Sequence, residues 1–551
     1  MIAAPLVAPP VAPLAAMLAA VPIAGAEPTV SSDRGGLAIG GSERTAAPAS
    51  VRQCIPDEQR LEITRLMRNL DARLPGGSPT PPARRGVVPL FDFYPLGGDI
   101  YGDLHLNNYA DLDPGPGVLD FDCGNHTYNG HDGQDVGLRT FDEQFIGVPI
   151  FAALAGTVVN RDDGHFDQNT SWQGQPANFV ILDHSDIEPG LRTLYWHMKS
   201  GSVAPQLGDS VAPGEQIGLV GSSGNSTNPH LHFEVWRNGA WVPTMVGPCN
   251  AAVPMWTQPW SKPDAHYLRD FGFLRGRLPD DHEWPDPFPR DNSATLTTER
   301  IHYWTQGVHL PANSTYRFRF YTPGGALDFD SGTRPISFSA NGFSRRYWAT
   351  YTWNITDMRN IPGVWTVAYD INGERQLDAK VTVLNTGQTY VNTPPAAVGA
   401  TIEPAQPRPD EVIFARLETD LVEDDFEYDL VRYRYVWSVG GVVVRDTISA
   451  GHADAIPSII DLGFGTDAPR TVSVEITPND GTTNGLSTTA TIVVPALCPA
   501  DTNGDGVVNP ADFNAWVIAF NNQAPACDQN GDGLCNPADF NAWVINFNAG
   551  C

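Results

Sequence analysis

Alternation of apolar and polar residues with a period of two dominates this chain and predicts strands. Between residues 88 and 236 short β-rich runs, among them 178–182, 193–196 and 230–235, are separated by turns of Gly, Asp and Asn. Further runs follow at 316–320, 347–353, 364–369 and 380–384, then at 433–437, 442–444 and 471–476. The spacing within each later group suits a β-sandwich. A helical period stands out in two regions. Leu61, Ile63, Leu66, Leu70 and Leu74 mark a helix over 58–74, stopped by Pro75-Gly76-Gly77. Near the C-terminus Phe513, Trp516, Val517 and Phe520 fall at i, i+3, i+4 and i+7, and Phe540, Trp543, Val544 and Phe547 repeat them 27 residues later. The expected architecture is mainly β and multidomain: an antiparallel β-sheet domain, two β-sandwich modules and a small α-helical C-terminal pair.

Punctuation sets the boundaries. Residues 1–26 are apolar but carry Pro5, Pro9, Pro10, Pro13 and Pro22, which a spanning helix tolerates badly. They end in Ala24-Gly25-Ala26, the small-x-small pattern of a cleavage site, and read as a signal peptide. Residues 27–50, rich in Ser, Gly and Ala, read as a linker. The first folded unit is expected over 51–260, followed by a Pro/Asp-rich boundary over 261–292. Sandwich modules follow over 293–386 and 396–495, and a terminal module over 498–551. No later run approaches the roughly 20 apolar residues of a membrane span.

Charge and cysteine usage narrow the setting. Lys and Arg number 34 against 63 Asp and Glu, a net charge of −29 with no basic block. That balance argues against nucleic acid or an anionic membrane surface as partner. Seven cysteines point to an oxidising destination, so the protein is expected to be secreted, extracellular or surface-associated. Cys498, Cys527, Cys535 and Cys551 crowd the last 54 residues. Cys123 and Cys249 bracket the segment that holds the chemistry and are expected to pair, and the odd total leaves one thiol over.

Of 13 histidines, nine (His105, His126, His165, His184, His266, His282, His302, His309 and His452) lack partners at ligand spacing and read as ordinary core, turn or surface residues. The other four form a pattern. His131-Asp132-Gly133-Gln134-Asp135 sets a His and a carboxylate four residues apart. His230-Leu231-His232 sets two imidazoles on one strand face, and Tyr195-Trp196-His197 is expected to do the same for a Tyr and a His. Zinc catalysis needs three N/O protein ligands and an open fourth position, and these residues supply the parts. A core His pair would explain His-x-His alone, but not three motifs in order. No His-Glu-x-x-His occurs, which excludes a thermolysin-like Glu base.

Taken with the strand ending in His184, Gly208 to Gly218 (Gly-Asp-x-Val-x-x-Gly-x-x-Ile-Gly) and Gly224 to Glu234 (Gly-x-Ser-x-x-Pro-His-Leu-His-Phe-Glu), these motifs resemble the lysostaphin-type zinc endopeptidases, metallopeptidase family 23, over residues 128–236. The resemblance implies one catalytic Zn²⁺ on His131, Asp135 and His232. It makes His197 and His230 the catalytic histidines, which share removal of the water proton, oxyanion stabilisation and protonation of the leaving amine. The implied substrates are peptidoglycan cross-links or Gly-rich peptides. No motif position is substituted, which favours an enzyme over the alternative, a surface binding or adhesion protein that holds peptide or cell-wall glycan without cutting. The two later blocks resemble immunoglobulin-like or PKD-like modules.

The C-terminal repeat carries a second metal argument. Asp, Asn, Asp, Gly and an acid at positions 1, 3, 5, 6 and 12 follow the spacing of an EF-hand-like calcium loop. Asp501, Asn503, Asp505 and Asp512, with the Val507 carbonyl, make the first set. Asp528, Asn530, Asp532 and Asp539, with the Leu534 carbonyl, make the second. Two structural Ca²⁺ ions are expected. The form resembles dockerin modules, so residues 498–551 are expected to meet a cohesin-like or surface-anchoring partner. The competing reading is a pair of Asx-rich turns that cap helices without metal.

Overall fold

The computed structural model describes residues 37–40, 54–73, 90–252, 254–260, 266–279, 282–311, 313–336, 344–354, 358–419, 424–504, 507–532 and 534–549. The leader assigned to 1–26, most of the 27–50 linker, Asp505 and Cys551 lie outside these. The chain opens with β1 (Leu37–Gly40) and α1 (Asp57–Asp71), then β2 (His105–Asn108), β3 (Gln134–Gly137) and α2 (Phe141–Ile146). Strands β4 (Pro149–Phe151), β5 (Gly156–Asp162), β6 (Phe179–Asp183), β7 (Leu191–Trp196) and β8 (Ser210–Val211) follow. Next come β9 (Gln216–Leu219), β10 (His230–Arg237), β11 (Ala240–Val242) and β12 (Tyr267–Leu274).

The central sheet runs in the order β2-β3-β10-β7-β6-β5-β8, with β11 paired to β10 and every pairing antiparallel. Parity divides its side chains between two faces. Leu231, Phe233 and Val235 of β10 enter one core with Val136, Val180, Leu182 and Tyr195. His230, His232, Glu234 and Trp236 take the other face. There α1 lies across the sheet, burying Ile63 and Met67 against Phe179, Ile181, Leu194, Trp196 and Trp236. Asp57 and Glu58 in its first turn and Arg68 in its last complement the helix dipole. Leu61, read from the sequence as part of the apolar stripe, is exposed, and Met67 takes the buried position.

Two regions read as unstructured carry strands. β1, inside the expected linker, pairs with Ser344–Asn354, and β12, inside the expected boundary, pairs with Arg300–Leu310. The density of Pro and Asp around β12 hid its alternating Leu268, Phe271 and Phe273, whose register shifts between Leu268 and Asp270. With these additions two sheets enclose one core that includes Phe271, Tyr303, Phe318, Tyr351 and Trp365. A second pair of sheets, between residues 399 and 494, encloses Tyr433, Tyr435, Trp437, Val472, Val474 and Ile476.

These β units are packed against the first unit rather than strung out from it as spacers. Phe93 and Phe151 meet Phe414 and Ala455 in one buried cluster. Arg445 donates to Gln216 (2.7 Å), and Arg416 pairs with Asp99. Within the acidic stretch 418–429, expected to be a solvated loop, Asp424, Asp425 and Glu427 are buried, whereas Glu418 and Phe426 are exposed. Asp425 accepts from the Glu427 and Asp429 amides and Asp424 from the Tyr433 hydroxyl, bonds that replace the lost water.

Helices α3 (Pro510–Asn522) and α4 (Pro537–Ala549) close the chain, with Trp516 and Trp543 buried between them. Cys123 pairs with Cys249 as expected, and Cys527 with Cys535. Among the described residues no helix is long and apolar enough to cross a membrane.

Candidate metal centre

Strand register brings distant motifs to one point. His232 on β10 stands opposite Asp135 on β3, and the loop before β3 adds His131. His131 Nε2, Asp135 Oδ1 and His232 Nδ1 converge at 2.8–3.1 Å from one another. Partners on the far side orient both rings. His131 Nδ1 donates to the Tyr109 carbonyl (2.7 Å), and His232 Nε2 donates to Glu234 Oε1 (2.7 Å). Each ring thus turns its other nitrogen toward the same Asp135 oxygen, where a metal ion that displaces the proton there would find a lone pair. Bonds of about 2.0–2.1 Å from one tetrahedral ion would set such atoms about 3.3 Å apart, so the donor set fits zinc. Asn108 Nδ2 steadies the other Asp135 oxygen at 3.0 Å.

His197 and His230 border the same space, with ring centroids 4.6 Å apart. Nδ1 of each donates to a carbonyl, of Ser223 (2.6 Å) and Asn228 (2.7 Å) respectively. Nε2 of His230 lies 3.6 Å from Asp135 Oδ1, and Nε2 of His197 is buried without a hydrogen-bond partner. His197 is not on a strand face with Tyr195, as its spacing suggested. β7 ends at Trp196, and His197 adopts φ 65°, a left-handed conformation uncommon for a residue with a Cβ. That turn carries its ring toward the other histidines, while Tyr195 stays in the opposite core and its hydroxyl accepts from the Ala153 amide.

The local field favours positive charge at the convergence point. Burial would depress His232, but Cys54, Asp135 and Glu234 around it raise it well above the ordinary imidazole value. Asp135 is held well below the carboxylate range by the His131 and His230 imidazoles, against the effect of its burial. Burial pushes His197 and His230 down, and neighbouring imidazoles add to this, so both are neutral bases. Of the nine histidines read as ordinary, His184 bonds through both nitrogens, to the Ala155 carbonyl and to Thr193.

Two residues escaped the sequence reading. Glu234 follows His232 at i+2 and so shares its face, a signal present in the motif itself. Arg60 donates to both its oxygens (2.7 Å each) and Trp236 Nε1 to one, so it orients His232 and is not free to act as a base. Cys54, the leftover thiol, lies 3.4 Å from His232 Nδ1. Its sequence separation of 178 residues from that partner gave no signal.

In the C-terminal loops the described carboxylates turn to backbone amides. Asp512 accepts from Asn503 and Asn509, and Asp539 from Gln529, Asn530 and Asn536. Asp501 accepts from Gly504, and Asp528 from Gly531 and Asp532. Asn530 and Asp532 likewise cap turns within the second loop.

Residues 129–243 match the model of Peptidase family M23. Over 129 residues the chain is 33% identical to the DD-carboxypeptidase/endopeptidase Mpg of Neisseria meningitidis, covering 23% of this chain and 24% of that protein. It is 30% identical over 125 residues to the peptidoglycan DD-endopeptidase ShyA of Vibrio cholerae, again covering 23% and 24%. The chain thus spans about a quarter of the length of these curated relatives. Among solved structures, the catalytic domain of lysostaphin from Staphylococcus simulans aligns over 25% of this chain and 84% of its own, at 25% identity and a TM-score of 0.17.

Proposed function

We propose, from the peptidase M23 domain at residues 129–243 as premise, that this chain is a secreted zinc endopeptidase. The observation that carries the reading is the convergence of His131 Nε2, Asp135 Oδ1 and His232 Nδ1, three candidate ligand atoms within 3.1 Å of one another with both rings oriented from behind. These residues would hold the ion. When bound, Zn²⁺ supplies Lewis acidity toward a scissile carbonyl and toward water. His197 and His230, kept neutral by burial and aimed by their carbonyl partners, take the proton of the attacking water. The imidazolium so formed donates to the oxyanion or to the leaving amine.

Peptidoglycan cross-links or Gly-rich peptides are the proposed substrates. The names of the relatives Mpg and ShyA support the first. Secretion is supported by the apolar leader and by disulfides that suit an oxidising compartment. For residues 498–551 we retain two Ca²⁺ ions and a cohesin-like or surface-anchoring partner as a proposal that rests on the repeat alone.

Metal analysis of the full chain should find one zinc. Incubation with peptidoglycan and with Gly-rich proteins should release new amine termini, detected by mass spectrometry, and a chelator should stop this. Tight binding with no new termini would support the adhesion reading instead.

A further inference from the structure

The metal position has one more neighbour than a hydrolytic centre needs. Cys54 is 3% exposed and is the one free cysteine among the described residues. Its Sγ lies 3.4 Å from His232 Nδ1, the nitrogen turned to the metal position. Cys54, His131 and His232 place their ligand atoms within 4.8 Å of one another. His197 Nε2, buried and without a hydrogen-bond partner, faces the same space.

The segment that carries Cys54 is fastened over the site. Ile55, Ile63 and Met67 are buried against the sheet face that bears the histidines. Arg60 bonds both oxygens of Glu234, and Asp71 pairs with Arg192 at 2.6 Å. In this arrangement His131, Asp135, His197, His230 and His232 are each 6% exposed or less. Three protein ligands leave a zinc open for catalysis, whereas a fourth closes it, and a thiolate is a strong candidate for that place. Coordination would take the thiol proton.

We infer that Cys54 is the chain's own fourth ligand to the metal, slowing turnover in the unaltered chain while α1 covers the site. This rests on the metal reading above, and the test separates the two. The full chain is loaded with Co²⁺ in place of zinc and its near-ultraviolet spectrum recorded. A thiolate-to-cobalt charge-transfer band is expected. Cys54→Ser and Cys54→Ala should lose the band, keep one cobalt per chain and turn over faster than the unaltered chain. In the unaltered chain Cys54 should react with Ellman's reagent more slowly when loaded than after chelation, a readout that needs no variant to fold. One bound cobalt that is lost in Asp135→Ala but shows no thiolate band, or equal thiol reactivity with and without metal, would overturn the fourth-ligand assignment alone. No cobalt binding at all would overturn the metal reading as well.

Discussion

At the scale of residues, each inward nitrogen is defined by what its ring does on the other side. His131→Ala, Asp135→Ala or His232→Ala should each lose both the metal and activity, because two remaining ligands do not complete the site. His197→Ala and His230→Ala should retain metal and lose turnover by about 10²–10⁴-fold, the range for a lost acid–base group. Metal content measured beside turnover checks both. A different histidine sets a pH limit on the fold. Burial pushes His184 down to about 4. Below its ordinary value of about 6.5 the unfolded chain takes a proton that the folded chain refuses, so stability falls as pH drops from about 6.5 to about 4 and levels off below. The loss from His184 is about 3 kcal/mol. His266 and His452 are also held at about 4 by burial and add to the slope. His184→Gln should flatten it by the equivalent of one proton in urea unfolding followed from pH 7 to 4; an unchanged slope would count against the assignment.

Among elements, α1 is tied to the sheet by its apolar face and by ion pairs of Arg60 and Asp71. Arg60 is partly buried and Glu234 wholly so, at 2.7 Å. Arg60→Ala would leave Glu234 buried without its cation, a loss of about 3–5 kcal/mol. Faster hydrogen exchange throughout α1, with β6 and β7 still protected, is the expected result. The C-terminal pair is the other element whose stability turns on charge. Its described carboxylates accept backbone amides, and residues 498–551 contain no Lys, Arg or Glu to offset them. If the calcium proposal holds, the oxidised full chain should show a transition for this module that moves up when calcium is added, by linkage. Identical melting in calcium and in chelator would leave the loops as capping turns.

On the scale of the whole molecule, the β units are coupled where backbones touch. A Cβ on Gly451 would collide with the Gly97 carbonyl oxygen, backbone against backbone, next to the cluster of Phe93, Phe151, Phe414 and Ala455. Gly451→Ala must therefore part the first unit from the unit at 399–494, at a cost of about 1–3 kcal/mol. Calorimetry should then separate transitions that overlap in the unaltered chain. This packing also means that a fragment ending near residue 260 would expose Phe93 and Phe151.

Local pattern determined much of this protein by itself. Period-two alternation located the strands at 316–320, 433–437 and 471–476, since a side chain's face depends only on its parity along the strand. The same rule put His230 and His232 on one face, and the motif order named the five residues that meet. Tertiary structure alone decided which other groups join them. The left-handed turn at His197, the pairing of Glu234 with Arg60 and the approach of Cys54 all depend on where remote segments come to rest. So do the strands β1 and β12, whose residues are too few or too mixed to signal a strand without their partners at 344–354 and 300–310. Spacing along a chain encodes neighbours within an element; contacts across 178 residues, like that of Cys54 with His232, exist only once the sheet is closed over by its helix.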